Sequence, residues 1–148
     1  MVKSNVGHKP RPNWRLAFIE GRNLPGVTKT RFVIAVPNLA RSSTFYRDVL
    51  GFDIEELAPG WLVYRSGSCI IMAGECADAI PPSELGDHRY FAYLEINDID
   101  SFHSRVTAAG AKIGKSLRNE PWGMREFGLT TIDGHRIMFA EMIATAGQ

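Results

Sequence analysis

The sequence predicts an α+β fold made of two tandem βαβββ modules whose sheets pair into a curved cup. The main observation is an internal repeat: two helical segments about 60 residues apart each follow one strand-like run and precede several others. A repeat of that length in two copies is too long for a solenoid. Two copies of one unit, each with an apolar face to bury, are expected to share a core.

The first module starts with a strand over 30–36 and continues into a helix that extends to Leu50. Asn38 is a good N-cap, because its side-chain oxygen can accept hydrogen bonds from the free amides of the first turn. Gly51 suits the left-handed position that follows a helix. Three further strands are predicted at 52–57, 60–65 and 69–73.

The second module repeats this order, with a helix over 99–109 that Asn97-Asp98 caps. Its last two strands are predicted from Asp133-Gly134, a dipeptide that tolerates the positive φ angles of tight hairpin turns. The predicted strands cover 90–96, 111–113 and the hairpin from 122 to 139.

These elements suggest the domain boundaries. We expect an N-terminal arm (1–27), a first module (28–76), a linker (77–88), a second module (89–143) and a C-terminal tail (144–148), with 28–143 as one structural domain. In the arm, only 14–20 is expected to be ordered and to dock on the body or on a partner. The Pro81-Pro82 pair marks the linker.

Composition excludes several classes of function. With 17 basic and 16 acidic residues the net charge is +1, which gives no electrostatic case for a nucleic-acid partner. No apolar run approaches the roughly 20 residues of a membrane span, and the first residues lack the apolar core of a signal peptide. We therefore expect a cytoplasmic protein with no membrane partner. Cys69 and Cys76 are expected to be free, buried thiols.

Two segments carry a resemblance to a known family. They are 36–52, which opens Val-Pro-Asn-Leu and ends Leu-Gly-Phe, and the hairpin, whose Trp-Gly-Met-Arg-Glu-Phe run is followed by Asp-Gly. On these motifs the chain resembles the vicinal oxygen chelate superfamily, which includes glyoxalase I, bleomycin resistance proteins and extradiol dioxygenases. The hairpin is most similar to the bleomycin-resistance branch, and the similarity covers roughly 29–143.

The resemblance also implies where a metal would bind. Metal enzymes of this superfamily place ligands on inward-facing positions of the first and last strand of each module. Carried over to this sequence, those positions hold Arg31, Met72, Phe91 and Met138. None of these side chains is a plausible ligand for a divalent metal, so neither a metal nor another cofactor is expected. We expect no catalytic residue and favour binding over catalysis.

Strand alternation extends these positions to a predicted ligand-binding surface. Its residues are Arg31, Val33, Trp61, Tyr64, Met72, Phe91, Tyr93, Trp122, Gly123, Arg125, Glu126 and Met138. Thioether and aromatic side chains suit planar or irregular apolar ligands. The simpler interpretation is that many of them fill a closed core.

Several of these residues have a second interpretation. Trp61 is either a stacking platform or an anchor of a dimer interface. Arg31 could bind a carboxylate or phenolate of a ligand, or pair with an inward acid such as Glu95 or Glu126, because an unpaired buried charge is costly. Glu126 could attract a cationic drug, or form a solvent-facing pair with Arg125. Because Arg125 and Glu126 are adjacent on a strand, only one of them can face inward.

The leading hypothesis is non-catalytic binding and sequestration of a bleomycin-like or other aromatic antibiotic, in clefts at a homodimer interface. In the bleomycin-resistance branch such dimers often exchange a terminal arm, a role open to residues 1–27. The alternative is a glyoxalase- or dioxygenase-like lyase or oxidoreductase of the same superfamily. Without a metal it would need acid–base chemistry by Tyr93, Glu95 or Glu126. A third hypothesis is an interaction module whose cup is filled by its own side chains.

Overall fold

The computed structural model describes residues 26–27 and 29–144, without the side chains of Asp87 and His88. In chain order its elements are β1 Phe32–Val36, α1 Leu39–Asp48, β2 Asp53–Ala58, β3 Trp61–Ser66, β4 Cys69–Glu75, a 3-10 helix Pro82–Arg89, β5 Tyr90–Glu95, α2 Ile99–Ala108, β6 Lys112–Asn119, β7 Met124–Thr130 and β8 Arg136–Met142. The predicted fold class, α+β with two tandem βαβββ modules and curved sheets, is confirmed. Among the described residues, no helix combines the length and the apolar character needed to span a bilayer.

Each module contributes one four-stranded sheet. The strand orders are β1-β4-β3-β2 and β5-β8-β7-β6, and both sheets have the same pattern of directions. The first strand of each module runs parallel to the last, and the other neighbours are antiparallel. Because a parallel pair needs a crossover connection, each helix is carried across one face of its sheet.

The helices begin as their sequences predict, with an additional cap from the last strand. Asn38 Oδ1 accepts a hydrogen bond from the Arg41 amide at 2.8 Å. Glu75, at the end of β4, accepts one from the Leu39 amide at 2.9 Å. The second module repeats this arrangement, because Glu141 on β8 accepts a hydrogen bond from the Ile99 amide at 2.9 Å. A carboxylate from the last strand thus stabilises the positive end of each helix.

The two modules pack through their helix-bearing sides. One hydrophobic cluster includes residues of both modules. Phe32 and Phe91 meet edge to face with ring centroids 5.9 Å apart. At the end of α2, Arg105 donates hydrogen bonds to the carbonyl oxygens of Val49 and Leu50 at 3.3 and 3.2 Å. This packing leaves the opposite face of each sheet on the outside of the chain.

A buried polar link also joins the modules. Tyr64 donates a hydrogen bond to Ser42 Oγ at 2.9 Å, and Ser42 donates to Asp133 Oδ2 at 2.7 Å. Tyr64 has no exposed area and packs against Tyr46, with the two rings tilted by 33° and their centroids 4.4 Å apart. Burial raises the pKa of Asp133 above its usual value and raises the pKa of Tyr64 to about 12. The turn between β7 and β8 is thereby fixed to α1.

Three predicted features differ from the structure. Strand β6 runs from Lys112 to Asn119 rather than over 111–113. The predicted linker contains the 3-10 helix, which has proline at its first turn. Cys69 and Cys76 are free, as expected, but Cys69 is only half-buried and Cys76 is exposed, whereas both were predicted to be buried. Most of the predicted arm, including 14–20, and the tail after residue 144 lie outside the described residues.

Candidate ligand-binding face

We call the side of each sheet that faces away from the helices its open face. In the first sheet, the register places Val63, Met72 and Val33 in one cross-strand row on this face. The corresponding row in the second sheet contains Lys115, Gly128, Met138 and Tyr93. Val33 is 65% exposed and Tyr93 is 49% exposed, so the described part of the chain leaves this side of both sheets partly uncovered, although Val63 in the first row is buried.

Trp61 lies on the first open face, against the backbone of Gly74. A Cβ atom built on Gly74 would lie 2.8 Å from Trp61 Cη2, a contact that real Cβ atoms do not make. Glycine is thus required here for the close approach of the ring rather than for its backbone angles. Trp61 remains 38% exposed, so one side of the ring is free.

Glu126 is the centre of the second open face. It is only 3% exposed, yet both carboxylate oxygens accept hydrogen bonds. Oε2 accepts from the Tyr93 hydroxyl at 2.5 Å and from Trp122 Nε1 at 3.3 Å. Oε1 accepts from Lys115 Nζ at 2.5 Å. The buried charge is therefore both neutralised and hydrogen-bonded, as a buried carboxylate requires.

Lys115 connects this carboxylate to the end of the sheet. Its ammonium group also lies 2.9 Å from Glu120 Oε1, which pairs with Arg118 as well. The same ammonium lies 5.5 Å from the ring centroid of Trp122, within cation–π range. Lys115 thus holds Glu126 and the Trp122 ring in one arrangement.

The protonation states of this cluster follow from these contacts. Burial alone would raise the pKa of Glu126, but hydrogen bonds from Lys115, Tyr93 and Trp122 outweigh it and hold the pKa below its usual value. Burial, followed by the hydrogen bond to Glu126, raises the pKa of Tyr93 to about 12. At neutral pH the carboxylate is ionised and the phenol is neutral. Neither group has the pKa near 7 that efficient proton transfer requires.

Trp122 projects from the turn between β6 and β7 and is 62% exposed. Gly123 follows it with φ of +88°, a left-handed conformation that glycine adopts without strain. The Gly123 amide donates a hydrogen bond to the Glu120 carbonyl at 3.1 Å, which closes the turn. The turn and the Glu126 hydrogen bond fix the orientation of the indole while leaving most of it exposed.

The placement of Tyr64 on the ligand-binding surface was wrong. Its hydroxyl is bonded to Ser42 and its side chain is fully buried on the helix side. The physical reason is strand alternation: Trp61 and Tyr64 are three positions apart on β3 and must face opposite sides.

The predicted orientation of Phe91 was also wrong. The pairing of β5 with β8 shifts between Tyr90 and Ala92, and Phe91 packs against the core, in edge-to-face contact with Phe32 and His135. A bulge breaks the two-residue period that placed Phe91 beside Tyr93.

Arg125 points away from the second open face. It donates to Asp100 Oδ1 at 2.7 Å and to Asn119 Oδ1 at 3.0 Å. Of the two neighbours, Glu126 therefore faces the open side. The alternative ion pair of Arg31 with Glu126 was wrong, because Glu126 is paired with Lys115. Arg31 is exposed and has no ion pair within the described part of the chain.

Sequence reasoning missed the β6 contribution, namely Lys115 and its partner Glu120. The prediction ended β6 at residue 113, before either side chain. The signal was present, because Ile113, Lys115 and Leu117 alternate with more exposed residues along one strand. A lysine at a half-buried position interrupts the apolar pattern and conceals the strand.

The facing positions of the first and last strands do not fit a metal ion. The register pairs Met72 with Val33 and Met138 with Tyr93. Thioether, aliphatic and protonated phenol groups are poor ligands for divalent cations that prefer oxygen or imidazole donors. Across 26–27 and 29–144, no three His, Cys, Asp or Glu side chains cluster in a way that could hold a metal.

The sequence model of the Glyoxalase/Bleomycin resistance protein/Dioxygenase superfamily matches residues 30–139. The chain belongs to this superfamily. No curated protein matches this superfamily member in sequence.

Solved structures share its fold. TioX from Micromonospora sp. ML1 is 23% identical with a TM-score of 0.63, covering 81% of this chain and 100% of its own. TnmS3, an antibiotic binding protein from Streptomyces sp. CB03234, is 22% identical with a TM-score of 0.66, and the match covers 80% of this chain and 98% of TnmS3. A glyoxalase/bleomycin resistance protein/dioxygenase from Nocardioides is 16% identical with a TM-score of 0.65, and the match covers 91% of this chain and 97% of the Nocardioides protein. At these identities the likeness carries the fold alone.

Proposed function

We propose that this superfamily member binds an aromatic small molecule, of the bleomycin-like or another antibiotic class, and sequesters it without changing it chemically. The observation that carries the proposal is Trp122, an exposed indole held at its edge by Glu126 and near its face by Lys115. A large ring that is exposed and yet fixed loses little conformational entropy when a ligand stacks on it. An indole that served only to fill a core would be covered.

The neighbours of Trp122 favour the same class of ligand. Tyr93 exposes half of its surface beside it, and Met138 lies next to Tyr93 in the cross-strand row. On the first open face, Trp61 and Met72 supply a second ring and a second thioether. Aromatic rings and methionine bind flat or irregular apolar groups without requiring one exact shape.

Electrostatics favour binding over turnover and limit the charge of the ligand. Glu126 is ionised but already paired with Lys115, so it does not offer a free carboxylate to a cationic drug. Its role is to orient Tyr93 and Trp122. The raised pKa of Tyr93 and the lowered pKa of Glu126 make both poor proton carriers at neutral pH.

The exposure of both open faces supports a cleft completed by a second copy of the chain. Val33, Trp61, Tyr93 and Trp122 are all large apolar or aromatic side chains that remain exposed, and exposed apolar groups that cluster on one side of a molecule are typical of interaction surfaces. A homodimer would cover part of this surface and enclose the ligand between two open faces, with residues 1–27 available as an exchanged arm. The fold shared with TnmS3, an antibiotic binding protein, is consistent with this use.

A titration tests the proposal. A panel of bleomycin-family and other planar antibiotics is screened by thermal shift, and each positive compound is titrated by calorimetry and then recovered for mass spectrometry. Binding to the wild-type chain with recovery of unchanged compound supports sequestration, since a ligand that binds the native state raises its melting temperature. Conversion of the compound, a stoichiometric bound divalent ion in the purified protein, or no shift across the panel would each contradict it.

A further inference from the structure

A second candidate site lies apart from the open faces, between the 3-10 helix, the start of β6 and the turn that joins β7 to β8. It is a cleft of about 360 Å³, and it contains none of the residues of the Glu126 cluster. The residues that line the cleft include Arg89, Lys112, Ser83, Thr130, Thr131 and Ile132.

The cleft carries two positive charges, those of Arg89 and Lys112, and its described lining residues include no acid that could neutralise them. Nε of Arg89 is buried and has no hydrogen-bond partner in the described part of the chain. The Asp133 carboxylate accepts a hydrogen bond from Ser42, and the cation that acts on its charge is Arg41 rather than Arg89 or Lys112. A buried guanidinium nitrogen without an acceptor is costly, and among the described residues none supplies that acceptor, so an anion bound in the cleft would satisfy it.

Hydroxyl groups beside the cations complete the donor set for an anion. Ser83 and Thr130 line the cleft, and Thr131 Oγ1 accepts a hydrogen bond from the His135 amide at 3.2 Å. A hydroxyl that accepts from an amide retains its own hydrogen for donation.

An apolar groove continues from this cleft. The cleft shares Phe45, Gly110 and Ile132 with a groove of about 710 Å³ that runs between α1 and the end of α2. Ala40, Val49 and Ala109 line the rest of its apolar surface, and its polar lining residues are Asn38, Arg41, Thr44 and Asp48, the last paired with Arg47. Ile132 is 40% exposed at the junction. A charged cleft that opens into an apolar groove suits a molecule with a charged head and an apolar body.

We propose that this cleft and groove bind a small amphipathic anion, with a carboxylate or phosphate group against Arg89 and Lys112 and an aromatic or acyl body along Phe45 and Ile132. A neutral apolar molecule leaves the guanidinium without an acceptor. An inorganic anion leaves the groove empty. This site is independent of the proposed antibiotic site on the open faces.

The experiment uses phenyl phosphate, inorganic phosphate and benzyl alcohol as probes of the full chain. Each is titrated by calorimetry and by amide chemical shifts in two-dimensional NMR. We expect phenyl phosphate to bind most tightly and to shift the amides of Gly110 and of 130–134, while those of Trp122 and Glu126 stay in place. Equal affinity for inorganic phosphate would indicate an adventitious ion only, and shifts confined to the open faces would also overturn the proposal.

Matched variants test the charges. Arg89→Gln and Lys112→Gln should each weaken phenyl phosphate binding about tenfold or more, the effect of losing a hydrogen bond to a charged group. Lys29→Gln removes the same charge from an exposed site elsewhere and should leave binding unchanged. Arg89→Gln is expected to fold, because Nε of Arg89 makes no hydrogen bond within the described residues, and Lys112→Gln alters an exposed residue of β6. Binding that survives both substitutions contradicts the proposal.

Discussion

The hydroxyl oxygen of Tyr93 lies 2.5 Å from Oε2 of Glu126, on the open face of the second sheet. This contact joins an exposed ring to a buried charge. Trp122 bonds to the same oxygen from the opposite end of the cluster. One carboxylate thus sets the positions of two aromatic rings, and most of the predicted behaviour of the site follows from it.

Glu126→Gln should weaken this arrangement without unfolding the chain. The amide keeps one acceptor but loses the charge that Lys115 and the two ring donors satisfy, so we expect a loss of about 1–3 kcal/mol in the free energy of unfolding in urea. The tryptophan fluorescence should also change, because the Trp122 indole N–H loses the carboxylate that fixes its orientation. Glu95→Gln is the control, since Glu95 is exposed on the same strand as Tyr93. Equal stability of the two variants would show that the cluster is not structural.

Trp122→Ala should reduce antibiotic affinity about tenfold or more, the usual effect of removing a large stacking ring at a binding site. Trp122→Phe should recover part of it. Arg125→Gln is the matched control, because that side chain bonds to Asp100 and Asn119 away from the open face. Calorimetry with the same antibiotic measures all three variants. A larger effect of Arg125→Gln than of Trp122→Ala would place the ligand elsewhere.

Tyr64→Phe should lower the stability of the fold without changing antibiotic affinity. It removes the hydrogen bond to Ser42 inside the polar link between the modules, at a cost of about 1 kcal/mol in unfolding free energy. Antibiotic affinity should stay at the wild-type value, because Tyr64 is buried on the helix side. Chemical denaturation and calorimetry on the same preparation distinguish the two effects. A loss of antibiotic affinity with unchanged stability would contradict this and would indicate that Tyr64 contributes to ligand binding.

Asp133→Asn should raise stability at neutral pH. Burial raises the pKa of Asp133 above its ordinary value of 3.8, so the folded chain holds this proton more tightly than the unfolded chain. The contribution of Asp133 therefore weakens as pH rises from 3.8 through the raised pKa, and the loss persists at neutral pH. Asparagine keeps an acceptor for Ser42 and suits the turn before Gly134. Melting curves of both proteins across acidic and neutral pH should converge toward low pH; a constant difference would contradict this.

Gly74→Ala should displace the Trp61 ring. A Cβ atom there would lie 2.8 Å from Trp61 Cη2, so the indole has to move. Gly114→Ala is the control, because its Cβ would make only ordinary van der Waals contacts, with Thr130 Oγ1 at 3.9 Å and the Gly128 carbonyl oxygen at 4.0 Å, and its φ is not positive. Fluorescence and melting temperature report the change. If Trp61 contributes to the ligand cleft, Gly74→Ala also weakens antibiotic binding, whereas Gly114→Ala does not.

Local chemistry made much of the fold predictable. Asn38 and Asp98 cap their helices within three residues of the amides they bind, a distance at which sequence alone identifies a cap. The additional caps by Glu75 and Glu141 were not predictable, because 36 and 42 residues separate them from their amides. The contact of Ser42 with Asp133 spans 91 residues and depends on how the modules pack.

The site was predictable only where strands kept a regular alternation. Tyr93, Met72 and Met138 lie on open faces because the two-residue period holds around them. Phe91 does not, because a bulge in β5 reverses the side that it faces. Lys115 was missed because a lysine interrupts the apolar alternation of β6, so the strand was ended too early. Its ion pair with Glu126 on the neighbouring strand could not be predicted without that strand.

The central claim is that an antibiotic stacks on Trp122. The chain has three tryptophans, so its indole N–H signals can be resolved by NMR and assigned with Trp122→Phe. The antibiotic that gives the largest thermal shift is titrated into the labelled protein. The account predicts that the Trp122 indole signal moves with the same saturation curve as the calorimetric binding. Saturable binding during which that signal stays unchanged would contradict it.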